Sequence, residues 1–222
     1  MKNTKIKVAP SILSGDFADM ASAVKNIEKW GADMVHCDVM DGMFVKNLTF
    51  GMPMIKALRK RTNLPLDVHL MIVEPERYID EFIDSGADII TFHPEASLDA
   101  LKTLKDIRKR NVQAGIVFNP DVDIEKYKHL FNYCDMILVM GVYAGLGGQK
   151  FIEETLERIA LTKKYIENMK LDIPIEIDGG IREDNVDRVI EKGASIIVAG
   201  SSVFKSPNPA KTIARLRANH NG

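Results

Sequence analysis

The sequence predicts an α/β protein that folds as a closed (β/α)8 barrel, the TIM barrel. Short apolar runs rich in β-branched residues alternate with longer segments of helical periodicity, and eight such pairs can be counted. The length of 222 residues suits one barrel, which typically has ~250 residues. An open, doubly wound sheet would often carry a G-x-G-x-x-G turn after its first strand, and this turn is missing here. The closed barrel is therefore favoured.

Each predicted strand is followed by a helical segment. The predicted strands are Ile6–Pro10, Met34–Val39, Leu66–Met71, Ile89–His93, Gln113–Phe118, Met136–Met140, Ile175–Asp178 and Ile196–Ala199. In the first helix, one apolar stripe is formed by Phe17, Met20, Ala21, Val24 and Ile27. Because no linker or low-complexity tract interrupts the series, we expect a single barrel domain over residues 1–222.

The composition excludes several classes of protein. It is 45% hydrophobic and 27% charged with a net charge of −1, which indicates a globular protein and gives no basic surface for nucleic acid. No apolar run approaches the ~20 residues that span a bilayer. The segment Met1–Lys7 lacks the apolar core of a signal peptide, and Cys37 and Cys134 are too few for a disulfide framework. We therefore expect a cytoplasmic protein without membrane or nucleic-acid partners.

Histidines and carboxylates stand at the ends of three predicted strands. His36 and Asp38 end the second strand on one face, His69 ends the third and Asp178 the seventh. The catalytic bowl of a barrel lies at these carboxyl ends, so the four side chains are expected to converge. Two imidazoles and two carboxylates form a complete ligand set for one divalent cation, which zinc, manganese, iron or cobalt could all satisfy. A buried hydrogen-bonded pair is the alternative reading of His36 and Asp38 alone.

Glycine-rich loops follow the last three predicted strands. They are Met140–Gln149 after strand six, Gly179–Gly180 after strand seven and 200–202 (Gly-Ser-Ser) after strand eight. Glycines let backbone N–H groups approach and surround phosphate oxygens. One such loop is often only a turn, but three adjacent loops at one end of a barrel predict a phosphate site.

These motifs together resemble the ribulose-phosphate 3-epimerase family. The resemblance rests on Ser11, H-x-D-x-M-D-G at 36–42, D-V-H-L-M at 67–71, G-x-G-G-Q at 145–149 and D-G-G at 178–180, and it runs from about Val8 to beyond Phe204. It implies a barrel of the ribulose-phosphate-binding type. Its reaction would be metal-dependent epimerisation at C3 of a ketose phosphate through an enediolate. D-Ribulose 5-phosphate and D-xylulose 5-phosphate are the expected pair.

The same resemblance implies a role for each matching residue. The cation would be held by His36, Asp38, His69 and Asp178, and Asp38 and Asp178 would also be the paired acid and base. Substrate contacts would come from Ser11, His69, Gly145, Leu146, Gly147, Gly148, Gly179, Gly180, Gly200 and Ser201. Three methionines would line the bowl, Met40, Met71 and Met140. Their thioethers donate no proton to an intermediate, although ordinary packing explains them equally well.

The sequence departs from the family in the loop after strand six. This loop lacks the usual proline and carries Tyr143, and Lys46 stands where a proline is usual. Because the loop covers the substrate, a six-carbon sugar, D-allulose 6-phosphate, is the alternative. A non-catalytic phosphosugar-binding protein is a third reading, and barrel decarboxylases with D-x-K-x-x-D are disfavoured because His69 stands at the lysine position.

We also expect a homo-oligomer. The roles of Tyr143, Lys46, His93 and Glu95 stay open.

Overall fold

Eight parallel strands alternate with helices in the computed structural model, which describes residues 5–218; residues 1–4 of the segment Met1–Lys7 lie outside this range. The strands are β1 (Lys7–Ala9), β2 (Val35–Met40), β3 (Leu66–Met71), β4 (Ile89–Phe92), β5 (Gln113–Phe118), β6 (Met136–Met140), β7 (Ile175–Asp178) and β8 (Ile196–Val198). Their order is β1-β8-β7-β6-β5-β4-β3-β2. The two ends of this sheet meet at a parallel bridge between Ser11 and His36. The predicted (β/α)8 barrel is therefore confirmed.

The strand bounds agree with the prediction to within one residue at each end. The predicted strand Ile6–Pro10 is shortened to Lys7–Ala9, and proline has no N–H to donate to a ladder. Pro10 still serves the closure, because its carbonyl accepts a hydrogen bond from His36 N at 3.1 Å. The second strand extends one residue further than predicted, to Met40.

Nine α-helices surround the barrel within residues 5–218. They are α1 (Met20–Lys29), α2 (Met52–Arg59), α3 (Ile79–Asp84), α4 (Ala100–Lys109), α5 (Ile124–Tyr127), α6 (Thr155–Asn168), α7 (Val186–Glu191), α8 (Ser201–Phe204) and α9 (Pro209–Ala218). Short 3-10 turns precede several of them. No helix in the described range is long and apolar enough to cross a membrane.

The first helix begins later than its apolar stripe predicts. Asp16 caps a 3-10 turn at Phe17–Asp19, and the Asp19 side chain then accepts a hydrogen bond from Ser22 N, which starts α1 at Met20. Phe17 is consequently 45% exposed, so its predicted place in the buried stripe was wrong. The start of the helix is therefore set by acidic side chains that accept hydrogen bonds from free N–H groups, and not by the hydrophobic period.

The barrel interior is apolar except on one side. One apolar cluster in it consists of Ala9, Met34, Ile89, Met136, Ile196 and Val198. Another apolar cluster, centred on β5 and β6, contains Val117, Leu138, Met140 and Val142. The register of β2 and β3 places His36 beside Asp67 and Asp38 beside His69. The inward-facing titratable groups are thus gathered on β2, β3 and β7.

Candidate active site

A cavity of about 460 Å³ opens at the carboxyl ends of the strands. This volume is within the range of ~300–1,000 Å³ that is usual for small-molecule sites. The sequence-predicted residues that line it are Ser11, Asp38, Met40, Met71, Met140, Gly145, Leu146, Gly147, Gly148, Asp178, Gly179, Gly180, Gly200 and Ser201. His36 and His69 are fully buried and lie beneath its floor. The structure therefore places every predicted site residue either in the lining of this cavity or beneath it, while their individual roles stay predictions.

Two imidazoles and two carboxylates form a cluster at the cavity floor. His36 Nε2 lies 3.4 Å from Asp38 Oδ1 and 3.9 Å from Asp178 Oδ2, and His69 Nδ1 lies 3.2 Å from Asp38 Oδ1. One ligand atom of each residue falls within 4.8 Å of all the others. His36 Nε2 is buried and makes no hydrogen bond among the described residues. A buried nitrogen without a partner is costly, so its position among carboxylate oxygens fits a divalent cation.

A second, deeper carboxylate layer supports His36. Its Nδ1 lies 2.6 Å from Asp67 Oδ2 and 3.8 Å from Glu176 Oε1, and all three side chains are fully buried. Burial and the neighbouring Asp67 charge raise the pKa of Glu176 well above its usual value. Burial alone would lower the pKa of His36, but the charges of Asp67 and Asp38 outweigh it and raise that pKa. Asp67 and Glu176 thus form a buried carboxylate network below the pocket.

The two pocket carboxylates have opposite pKa shifts. Burial tends to raise the pKa of Asp38, but the His36 charge and the hydrogen bond with His69 Nδ1 outweigh it and lower that pKa. Ser11 Oγ also donates to Asp38 Oδ2 at 2.5 Å. Burial and the Asp38 charge raise the pKa of Asp178 to about 7. Near neutral pH, and without a cation, one carboxylate of the pair is therefore ionised while the other readily holds a proton.

The side of the cavity opposite the histidines is formed by the three glycine-rich loops. Gly180 has a φ of +69°, and a Cβ there would lie 2.6 Å from Phe151 N, so only glycine allows this close approach of two backbones. Gln149 Nε2 holds the longest loop by donating to the Tyr143 and Leu146 carbonyls at 2.7 and 2.8 Å. Residues of all three loops line the cavity, and glycines there let backbone N–H groups approach an anion such as phosphate.

Two cationic residues of the cavity were not predicted. Lys150 and Arg182 are the only lysine or arginine side chains among the described residues that line it. Each stands two residues beyond a glycine pair, Gly147–Gly148 or Gly179–Gly180. This spacing beside a predicted phosphate loop was the available signal. Charge at that end of the pocket complements an anionic group.

The residues whose roles the sequence does not assign lie in different parts of the structure. Tyr143 lines the cavity but is 51% exposed, whereas Lys46 is exposed and is not part of the lining. His93 is fully buried, with Nε2 3.0 Å from His69 Nε2, and its Nδ1 lies 3.4 Å from Glu95 Oε1. His93 therefore contacts a predicted metal ligand.

A (β/α)8 barrel with a histidine–carboxylate cluster at one side of its pocket and glycine loops at the other has the features of an enzyme for small phosphorylated substrates. Comparison with known proteins identifies the family. Residues 7–204 match the model of the ribulose-phosphate 3-epimerase family. The chain belongs to that family, as the sequence motifs predict.

Two curated relatives and one solved structure illustrate this similarity. Ribulose-phosphate 3-epimerase of Bacillus subtilis (strain 168) is 46% identical over 213 residues, covering 96% of this chain and 98% of the relative. That of Synechocystis sp. is also 46% identical, covering 96% and 93%. A crystal structure of 3-hexulose-6-phosphate synthase superposes with a TM-score of 0.67 over 96% of this chain and 98% of that chain. At 18% identity it supports the fold alone. The predicted enzyme class, an isomerase, is confirmed by the curated relatives.

Proposed function

We propose that this protein interconverts D-ribulose 5-phosphate and D-xylulose 5-phosphate by inverting C3. The observation that carries the proposal is the pair Asp38 and Asp178, which face one cavity from β2 and β7 with opposite pKa shifts. The relatives at 46% identity bear the name ribulose-phosphate 3-epimerase. This activity would place the protein in pentose phosphate metabolism.

The chemistry needs one group to remove the C3 proton and another to return a proton on the opposite face. Asp38, held ionised by His36, His69 and Ser11, acts as the base in one direction. Asp178, which faces the same cavity from β7, delivers a proton to the other face. In the reverse direction the two carboxyl groups exchange roles, as microscopic reversibility requires.

His36, Asp38, His69 and Asp178 would hold the divalent cation. Their ligand atoms are mutually close, and the unpaired His36 Nε2 is directed at the two carboxylates. When bound, a cation supplies Lewis-acid stabilisation of negative charge on the substrate oxygens next to C3. The donor set of two imidazoles and two carboxylates suits zinc, manganese, iron or cobalt.

The glycine loops orient the substrate along the cavity. Backbone N–H groups at Gly147, Gly148, Gly180 and Ser201 would bind the phosphate, which directs C3 toward the floor between the two aspartates. Met40 and Met71 pack together with Val45 at the barrel mouth. This packing covers the floor with apolar groups, and it supports a role in keeping water from the reacting carbon.

The proposal is tested by comparing turnover of D-ribulose 5-phosphate and D-allulose 6-phosphate on the same purified enzyme in deuterium oxide. We expect the five-carbon substrate to have the higher kcat/KM and to gain one deuterium at C3. The six-carbon alternative is not favoured by the names of the relatives. Absence of activity on D-ribulose 5-phosphate would reject the proposal, and turnover confined to D-allulose 6-phosphate would replace its substrate.

A further inference from the structure

A hydrogen-bonded histidine pair extends from the metal cluster into the barrel wall at the end of β4. His69 Nε2 and His93 Nε2 are 3.0 Å apart, their ring centroids are 5.2 Å apart, and both side chains are fully buried. The Phe44 ring packs on His93 with its centroid 4.8 Å away. His93 is therefore enclosed between a predicted metal ligand and an aromatic ring.

Proton positions in this pair follow from the contacts at its two ends. A hydrogen bond between two facing ring nitrogens needs one proton between them, so one imidazole donates and the other accepts. His69 Nδ1 is the atom that joins the metal cluster, 3.2 Å from Asp38 Oδ1, and a nitrogen that binds a cation carries no proton. With a cation bound at Nδ1, the proton of neutral His69 is on Nε2, which donates to His93 Nε2.

The same reasoning places the proton of His93 on the ring nitrogen that faces Glu95. Because His93 Nε2 accepts, the proton of neutral His93 is on Nδ1. This atom makes no hydrogen bond among the described residues, and Glu95 Oε1 lies 3.4 Å from it. The Glu95 side chain is 26% exposed, so its carboxylate can keep water contacts while it faces the imidazole. The proton of His69 is thus donated to His93, and the proton of His93 faces the Glu95 carboxylate 3.4 Å away.

The other predicted metal-ligand histidine contacts a carboxylate directly, without a second histidine between them, since His36 Nδ1 lies 2.6 Å from Asp67 Oδ2. We propose that His93 and Glu95 are positioning residues that hold His69 in the tautomer and orientation needed to bind the cation. This inference rests on the proposed metal centre. Each imidazole ligand then has a carboxylate behind it, directly for His36 and through His93 for His69, which is how proteins fix ligating histidines.

The test measures affinity for cobalt(II) by chelator competition and the visible spectrum of the bound ion. His93→Leu removes the acceptor of the His69 proton and should weaken cobalt binding about 10- to 100-fold and change the spectrum. His93→Gln keeps an acceptor oxygen and should recover much of the affinity. Glu95→Gln, at the partly exposed end, should give a smaller loss in the same direction. His129→Gln, outside the cavity, is the control and should bind as the wild type does.

Melting temperatures separate positioning from a structural role. If His93 positions His69, the variants lose mainly the stabilisation that cobalt adds, while the metal-free proteins melt close to the wild type. Wild-type affinity and spectrum in both His93→Leu and Glu95→Gln would overturn the inference but leave the proposed function intact. If His93→Leu does not fold, Glu95→Gln decides. A wild type that binds no divalent ion would overturn the metal centre together with this inference.

Discussion

At the scale of single residues, Asp38 and Asp178 acquire different proton affinities from their neighbours. Replacing Asp178 with Asn removes one acid–base group, and we expect kcat for epimerisation to fall by about 10²- to 10⁴-fold. Asp38 remains, so the epimer whose C3 proton faces it should still exchange that proton with solvent. Deuterium incorporation measured by NMR on each epimer separately checks this outcome.

The control for this variant is Asp121→Asn, which changes an exposed carboxylate outside the cavity. Its kinetics should match the wild type. Undiminished epimerisation by the Asp178 variant would contradict the acid–base assignment. Loss of exchange from both epimers would show instead that the variant damages binding of the substrate or of the cation.

Asp41 provides a pH-dependent contact beside the site. Its Oδ1 accepts hydrogen bonds from Met43 N and Phe44 N, and its Oδ2 accepts one from Val73 N, each at 2.8 Å. Burial opposes the shift, but these N–H groups outweigh it and lower the pKa of Asp41. A lowered native pKa adds stability that is present above the unfolded value near 3.8 and lost as pH falls through the native value.

We therefore expect Asp41→Asn to destabilise the protein by about 1–2 kcal/mol at pH 7, because the amide NH₂ would face Val73 N–H. The difference from wild type should shrink as the pH falls below 4. Urea unfolding at pH 7 and at acidic pH measures both quantities. A difference that stays constant with pH would contradict a contribution from the charge.

At the scale of elements, strand periodicity made the histidine–carboxylate cluster predictable. His36, Asp38, His69 and Asp178 end strands whose alternation fixes the inward face, so their convergence follows from barrel topology. His93 lies just after β4, and its contact with His69 depends on ring rotation, which a residue pattern does not contain.

The loop conformations and the start of the first helix were not predicted, because both depend on short polar contacts. Lys150 and Arg182 reach the cavity only through the path of their loops. Phe17 obeyed the helical period, yet it is exposed because the acidic caps at Asp16 and Asp19 delay the helix. Short polar contacts decided these details, whereas the hydrophobic pattern predicted the strands.

The β7 loop gives a prediction at this scale. Gly180→Ala would force a Cβ to within 2.6 Å of Phe151 N at a φ of +69°, and we expect a loss of about 2–4 kcal/mol in stability. Gly147→Ala is the matched control, because its Cβ would make ordinary contacts, 3.5 Å or more from Leu13. In thermal unfolding, the melting temperature should be several degrees lower for Gly180→Ala and unchanged for Gly147→Ala. Equal melting temperatures for the two variants would contradict this account of the loop.

At the scale of the whole molecule, charge is distributed unevenly although the net charge is only −1. The cavity floor is acidic, and Lys150 and Arg182 supply the positive charge among the lining residues. Arg182 is well exposed, and its ion pair with Asp184, at 3.4 Å, lies on the surface. Because a surface ion pair contributes little free energy, Arg182 can turn toward a substrate phosphate at little cost. The sugar phosphate should therefore enter with its phosphate toward the glycine loops.

Neutralising these cations tests that orientation. We expect Lys150→Gln and Arg182→Gln each to raise KM about three- to tenfold at low salt with kcat nearly unchanged, because the charge acts on binding and encounter rather than on C3. The dependence of kcat/KM on ionic strength should weaken in both variants. Lys46→Gln removes an exposed lysine outside the lining, so it should preserve wild-type kinetics. If all three variants show the same salt dependence as the wild type, substrate orientation is independent of these side chains and rests on the backbone N–H groups alone.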